Sequence, residues 1–149
     1  MAFSNEAELK TFLSNVALNA VSKVEKKVYE EFAGNLNQYY GEFIPAEYIR
    51  TGALFGSLEE TPAKATGSGA VAEVYFTTPS YQTGVMELQS TPITGRTGFA
   101  TWDGEKVLDY ALNRGSHGGY VGGTSIWNDS INSLGNIKGL LIAAVKEQL

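Results

Sequence analysis

Apolar residues recur at spacings of three and four along the first part of the chain: Leu9, Phe12, Leu13, Val16, Ala17, Ala20, Val21, Val24, Val28 and Phe32. That period predicts an amphipathic helix over about residues 6–33. Asn5 or Ser4 stands at the N-cap position, and Glu8 reaches back in a capping-box-like arrangement. Gly34 reads as the stop, followed by a polar connection from Asn35 to Phe43 that carries Tyr39 and Tyr40. Those two tyrosines suit packing and contact alike. Such a helix is roughly 40 Å long at 1.5 Å per residue. One face of a domain this size needs less, so part of it has surface for something outside its own subunit. The stripe is rich in Ala and Val and lacks regular Leu positions, which argues against a coiled coil.

Between Tyr48 and Leu58 the chain turns a corner. Thr51 fits a helix N-cap, Leu54 and Leu58 share one face of a short turn, and Gly52 allows close backbone approach. Arg50 is a planar, permanently charged fork suited to a carboxylate, phosphate or carbonyl cluster. On residue chemistry alone this reads first as a helix-to-strand connection holding one satisfied Arg. The tract Thr61–Gly69 is a loop by composition.

The period then changes to two. Val71–Thr78 reads as a strand with Ala72, Val74 and Phe76 on one face. Val85–Leu88, Thr97–Trp102 and Lys106–Leu112 are three further strands, and Asp103-Gly104 is a strong hairpin signal. The span 79–98, with Pro79, Gly84, Pro92 and Gly95, holds more loop than a compact sheet needs. It reads as a projecting arm with candidate contacts Tyr81, Val85, Met86, Leu88, Ile93 and Arg96. Alternation over Val85–Leu88 suits strand addition to a neighbour; a disordered surface loop is the competing reading.

Five glycines in the nine residues from Gly115 to Gly123 form a flexible contact loop, with Gly115, His117, Gly119, Tyr120 and Gly122 as candidate residues. Thr124 or Ser125 then caps a C-terminal helical region over about 125–148, with a break near Gly135. The fold class is α+β in a single domain (1–149). It comprises a long N-terminal helix, an approximately four-stranded, mostly antiparallel sheet, and a C-terminal helical region packed on that sheet.

Composition narrows the function. The 149 residues are enough for a self-sufficient core, and 43% hydrophobic with 18% charged content is globular. With no cysteine, disulfide scaffolds and thiolate metal sites are excluded. No secretory signal or membrane-spanning run is read, so synthesis is expected in the cytoplasm. Net charge is −5, and residues 1–60 carry nine acidic and five basic side chains. No concentrated basic face is present, which argues against tight DNA binding.

Catalysis is not expected. The loop 118–125 has no Lys and fails both the P-loop and the dinucleotide spacing, so it is better read as a hinge or a subunit contact than a phosphate cradle. A triad can be written on paper from Ser116, His117 and Asp109, but adjacent residues do not supply its geometry. One His and no Cys cannot assemble a zinc site, and the pairs Glu30-Glu31 and Glu59-Glu60 suit solvated faces. No catalytic residue, cofactor or metal ligand is assigned.

The corner pattern Tyr-x-Arg-Thr-Gly-x-Leu-x-x-Ser, as Tyr48, Arg50, Thr51, Gly52, Leu54 and Ser57, follows a long amphipathic helix. This resembles a family of tailed-bacteriophage neck and tail components, the tail-completion and head–tail joining proteins. A Tyr-Ala dipeptide before a Gly and a C-terminal helix, here Tyr110-Ala111 and Gly115, is similar to a second family feature. Where the family carries Glu-x-Gly-Thr, this chain has Asn113-Arg114-Gly115-Ser116. The resemblance implies a virion protein that forms a hexameric or dodecameric ring between neighbouring neck and tail proteins. DNA passes through such a ring at most, and an acidic wall lets phosphates slide by. A small cytoplasmic, non-enzymatic ligand- or peptide-binding module is the alternative.

Overall fold

The computed structural model describes residues 3–42, 54–77, 84–88, 98–102, 108–114 and 124–149, with 84–88 and 98–102 as backbone. Helix α1 (Glu6–Gly41) is followed by a 3-10 turn at Phe55–Ser57 and four strands, β1 (Leu58–Thr66), β2 (Gly69–Phe76), β3 (Gly84–Leu88) and β4 (Gly98–Trp102). A π-helical turn at Tyr110–Arg114 precedes α2 (Ile126–Leu134) and α3 (Ile137–Lys146). The class is α+β, with the expected long N-terminal helix and C-terminal helices.

Helix α1 starts as its sequence dictates. The Glu8 N–H donates to Asn5 Oδ1 at 3.0 Å, and Glu8 Oε2 accepts from the N–H of Ser4, one residue before the cap, at 2.9 Å, a capping-box-like arrangement. It does not end at Gly34: its 36 residues run on to Gly41. The expected connection from Asn35 onward is therefore helical as far as Gly41. The apolar stripe continues through Leu36 and Tyr39, both buried, and their packing outweighs the ~1 kcal/mol cost of a mid-helix glycine.

The sheet departs further from expectation. Among the described residues no four-stranded sheet is formed; the strands make two two-stranded sheets, β1-β2 and β3-β4. Thr61–Gly69, expected as a loop, is largely strand: β1 runs to Thr66, and the turn is confined to Gly67-Ser68. A two-residue connection makes β1 and β2 antiparallel. Burial alternates along both, with Thr61 and Ala63, then Ala72, Val74 and Phe76, half-buried between exposed neighbours. Pro62 is tolerated because each strand of a two-stranded sheet has an edge that donates to no partner.

Strands β3 and β4 pair antiparallel from Gly84 opposite Trp102 to Leu88 opposite Gly98. Lys106–Leu112, expected as a strand, is helical from residue 108 onward. Asn113 Nδ2 donates to Asp109 Oδ1 at 2.8 Å, an i,i+4 pair available only to a helical turn. The hairpin signal Asp103-Gly104 lies outside the described residues.

The chain groups into two compact units, each discontinuous in sequence. One holds 1–30, 60–75 and 134–149; Val16, Ala20 and Ala144 are buried in it. The other holds 31–59 and 76–133, with Phe32, Leu36, Tyr39, Leu54, Leu58, Ala111 and Ile126 buried. Between α2 and α3, Gly135 takes φ +61°, the left-handed conformation that ends a helix. Asn136 then caps α3 by accepting from the Gly139 N–H at 3.0 Å.

Candidate interaction surfaces

Of the corner residues, Leu54 and Ser57 are described; Tyr48, Arg50, Thr51 and Gly52 lie outside the described residues. Leu54 and Ser57 are both buried. The Leu54 carbonyl accepts from the Ser57 N–H at 3.2 Å and from Ser57 Oγ at 2.7 Å. The Ser57 carbonyl in turn accepts from the Thr77 N–H at 2.8 Å and from Thr77 Oγ1 at 3.3 Å. The corner is thus a hydrogen-bonded knot tying the start of β1 to the residue after β2. Phe55, between these two, points its ring at Tyr40, centroids 5.9 Å apart, and remains about half exposed.

Of the arm candidates, Val85, Met86 and Leu88 belong to β3, whose backbone is engaged by β4 of the same chain along one edge. Tyr81, Ile93 and Arg96 lie outside the described residues, as do Gly115, His117, Gly119, Tyr120 and Gly122.

Residues to which the sequence assigns no long-range contact do the joining in the second unit. The Glu42 carboxylate accepts from the Thr124 N–H at 2.7 Å and from the Thr124 hydroxyl. Partial burial acts to raise the Glu42 carboxyl, but the bonds from Thr124 and Gln38 outweigh it and hold it below the usual carboxylate range. Ser125 Oγ donates to the Leu112 carbonyl at 3.0 Å, and Asn128 Nδ2 to the Asn113 carbonyl at 3.2 Å. The first turn of α2 thereby satisfies carbonyls that the π-helical turn leaves open. Phe32 stands between Trp127, at 5.2 Å, and Phe76, at 6.0 Å. Asn35 Nδ2 donates to Ser130 Oγ at 3.0 Å, and that hydroxyl donates to the Ile126 carbonyl at 2.6 Å. One signal was available in advance: Asn35 and Tyr39 continue the helical period beyond Gly34.

In the first unit, Glu25 is a buried carboxylate on α1. Burial pushes it up, and Glu60 of β1 beside it adds to the rise through hydrogen bonding and like charge, with Lys26 opposing. Lys23 pairs with Glu147 across exposed surface. Among the described residues no group of three or more His, Asp or Glu is placed to hold a metal ion. No described helix is long and apolar enough to cross a membrane.

What these units leave uncovered is apolar. Leu9 and Leu13 on α1, Val71 and Tyr75 on β2, and Ile137, Leu141 and Ile142 on α3 are exposed in the first unit; Trp127 and Ile131 are exposed in the second. Apolar side chains left exposed within one element, as Ile137, Leu141 and Ile142 are on α3, suit a docking face more readily than a reaction site. Compared with models of protein families, with curated proteins and with solved structures, the chain matches none.

Proposed function

We propose that the protein is a structural virion component of a tailed phage, forming a ring in the neck or at the top of the tail. Its role there is tail completion, tail termination or head–tail joining. The pattern from Tyr48 to Ser57 supports the phage setting through its resemblance to neck and tail components. The observation that carries assembly is α3. Its sequence, IKGLLIAAVK, is apolar around most of its circumference, yet Ile137, Leu141 and Ile142 are exposed. A helix apolar all round belongs in an interior, and here assembly supplies that interior.

On this reading the mechanism is interface complementarity, with no bond made or broken. The ring, six or twelve copies in the implied family, contacts neighbouring neck and tail proteins. DNA at most slides through it, unheld, because the chain carries −5 net charge. Electron microscopy and mass spectrometry of assembled particles test this directly: the protein is expected at stoichiometric copy number at the head–tail junction. Its absence from particles and from isolated tails would end the proposal.

A further inference from the structure

We infer that copies of this chain join head to tail, the first turns of α1 on one copy docking against α3 of the next. This deepens the ring reading and takes from it only that the partner is a second copy.

The first face is the start of α1. Every residue from Glu6 to Thr11 is exposed, and Leu9 and Leu13 stand one turn apart on the same side, Leu13 at 51% exposure. Within the chain, the end of α3 meets α1 further along. Asn19 Nδ2 donates to Gln148 Oε1 at 3.4 Å, and Lys23 pairs with Glu147. The exposed residues Glu6–Thr11 lie nearer the start of α1 than that contact. The second face is α3 itself, where Ile137 and Leu141 stand four apart beside Ile142, the last at 46% exposure.

Charge selects the pairing. The first turn of α1 carries Glu6 and Glu8; α3 carries Lys138 and Lys146 and no carboxylate between Ile137 and Lys146. Joining two α3 faces would bring four ammonium groups together, and joining two α1 starts would bring four carboxylates against only the two ammonium groups of Lys10. Joining one of each sets apolar rows against each other with opposite charges at the rim, which fixes orientation and register. The two faces differ, so the contact is heterologous and propagates into a closed ring or an open filament rather than stopping at a dimer.

Two single-face variants test this, Leu13→Glu and Leu141→Glu, both at exposed positions, with circular dichroism to confirm folding. Lys138→Glu is a second probe of the α3 face. Analytical ultracentrifugation over roughly 10–500 µM spans the range in which modest interfaces associate. Wild type is expected to form species larger than a dimer, weakened by raising NaCl from about 0.1 to 1 M. Each variant alone is expected to be monomeric. An equimolar mixture of Leu13→Glu and Leu141→Glu is expected to give a 1:1 heterodimer and nothing larger, because each retains the face that the other lacks. Wild type that stays monomeric throughout, or a mixture that stays monomeric, overturns the contact. So do variants that assemble like wild type, although that result leaves the ring reading on other surfaces. Failure of the ring reading is read separately, from the particles.

Discussion

The Glu42 carboxylate and Thr124 are 82 residues apart in sequence, and the carboxylate receives both the backbone N–H and the hydroxyl of that threonine. The pair ties the residue after α1 to the residues that open α2. Replacing Glu42 by Gln weakens two charge-assisted bonds at a partly exposed site, so a loss of about 1 kcal/mol is expected after solvent screening. The folded carboxyl lies below the ordinary value of 4.5. Its contribution is full above that value and is lost as pH falls through the lower folded one. Denaturation of wild type and Glu42→Gln should therefore differ at pH 7 and converge under strongly acid conditions. A pH-independent difference would show that the carboxylate's charge is irrelevant to the clamp.

Glu25 works in the opposite direction. Its folded carboxyl is raised above 4.5 by burial and by Glu60. The charged form is the disfavoured one, so its cost is absent below the unfolded value and complete above the raised folded value. Glu25→Gln should stabilise the protein at neutral pH, by a Tm rise of about 2 °C or more, and make little difference near pH 4. Glu60→Gln should share the sign, and the two together should gain less than their sum. A lowered Tm at pH 7 for Glu25→Gln would contradict this.

Phe32 is buried between Phe76 and Trp127. Truncation to Ala should cost about 3–5 kcal/mol, and replacement by Leu closer to 1 kcal/mol. Urea titration followed by tryptophan fluorescence gives both values, and near-equal costs would mean that the aromatic contacts, rather than apolar burial, supply most of the stability at this position.

Two glycines should respond with opposite signs to the same substitution. A Cβ at Gly34, inside α1, meets nothing within 4 Å, so Gly34→Ala should stabilise by about 0.5–1 kcal/mol. At Gly135 the space is equally open but φ is +61°, so Gly135→Ala should destabilise by about 1 kcal/mol. Thermal melts of the two variants against wild type decide it; a shared sign would refute the backbone argument at one of them.

The parts of the fold legible in the sequence are those where one period dominates. The stripe of α1 and the apolar positions of the C-terminal region identify helices, because packing and periodicity agree there. The end of α1 lies seven residues past the local breaker Gly34, because the burial of Leu36 and Tyr39 is a tertiary fact that no local signal carries. From Thr61 onward β1 has the composition of a loop, with Thr61, Pro62, Lys64 and Thr66 turn-like and only Thr61 and Ala63 alternating inward. Lys106–Leu112 has strand-like composition, while over 108–114 the Asp109–Asn113 pair holds a helical turn. The joining residues were illegible for another reason: Glu42 with Thr124, and Asn35 with Ser130, are ordinary polar residues that acquire a role only when distant segments meet.

The bonds between Ser57 and Thr77 have a consequence for chain length. The backbone leaves one hydrogen-bonded point at Ser57 and returns to it at Thr77, so the hairpin between them is a closed excursion whose two ends are fixed together. The strands can lengthen or shorten in matched pairs, and the tip at Gly67-Ser68 can accept inserted residues, without displacing either end. Each doubling of an inserted tip costs only about 0.6 kcal/mol of closure entropy. The hairpin is therefore the place where this fold can vary its reach while the rest of the molecule keeps its register.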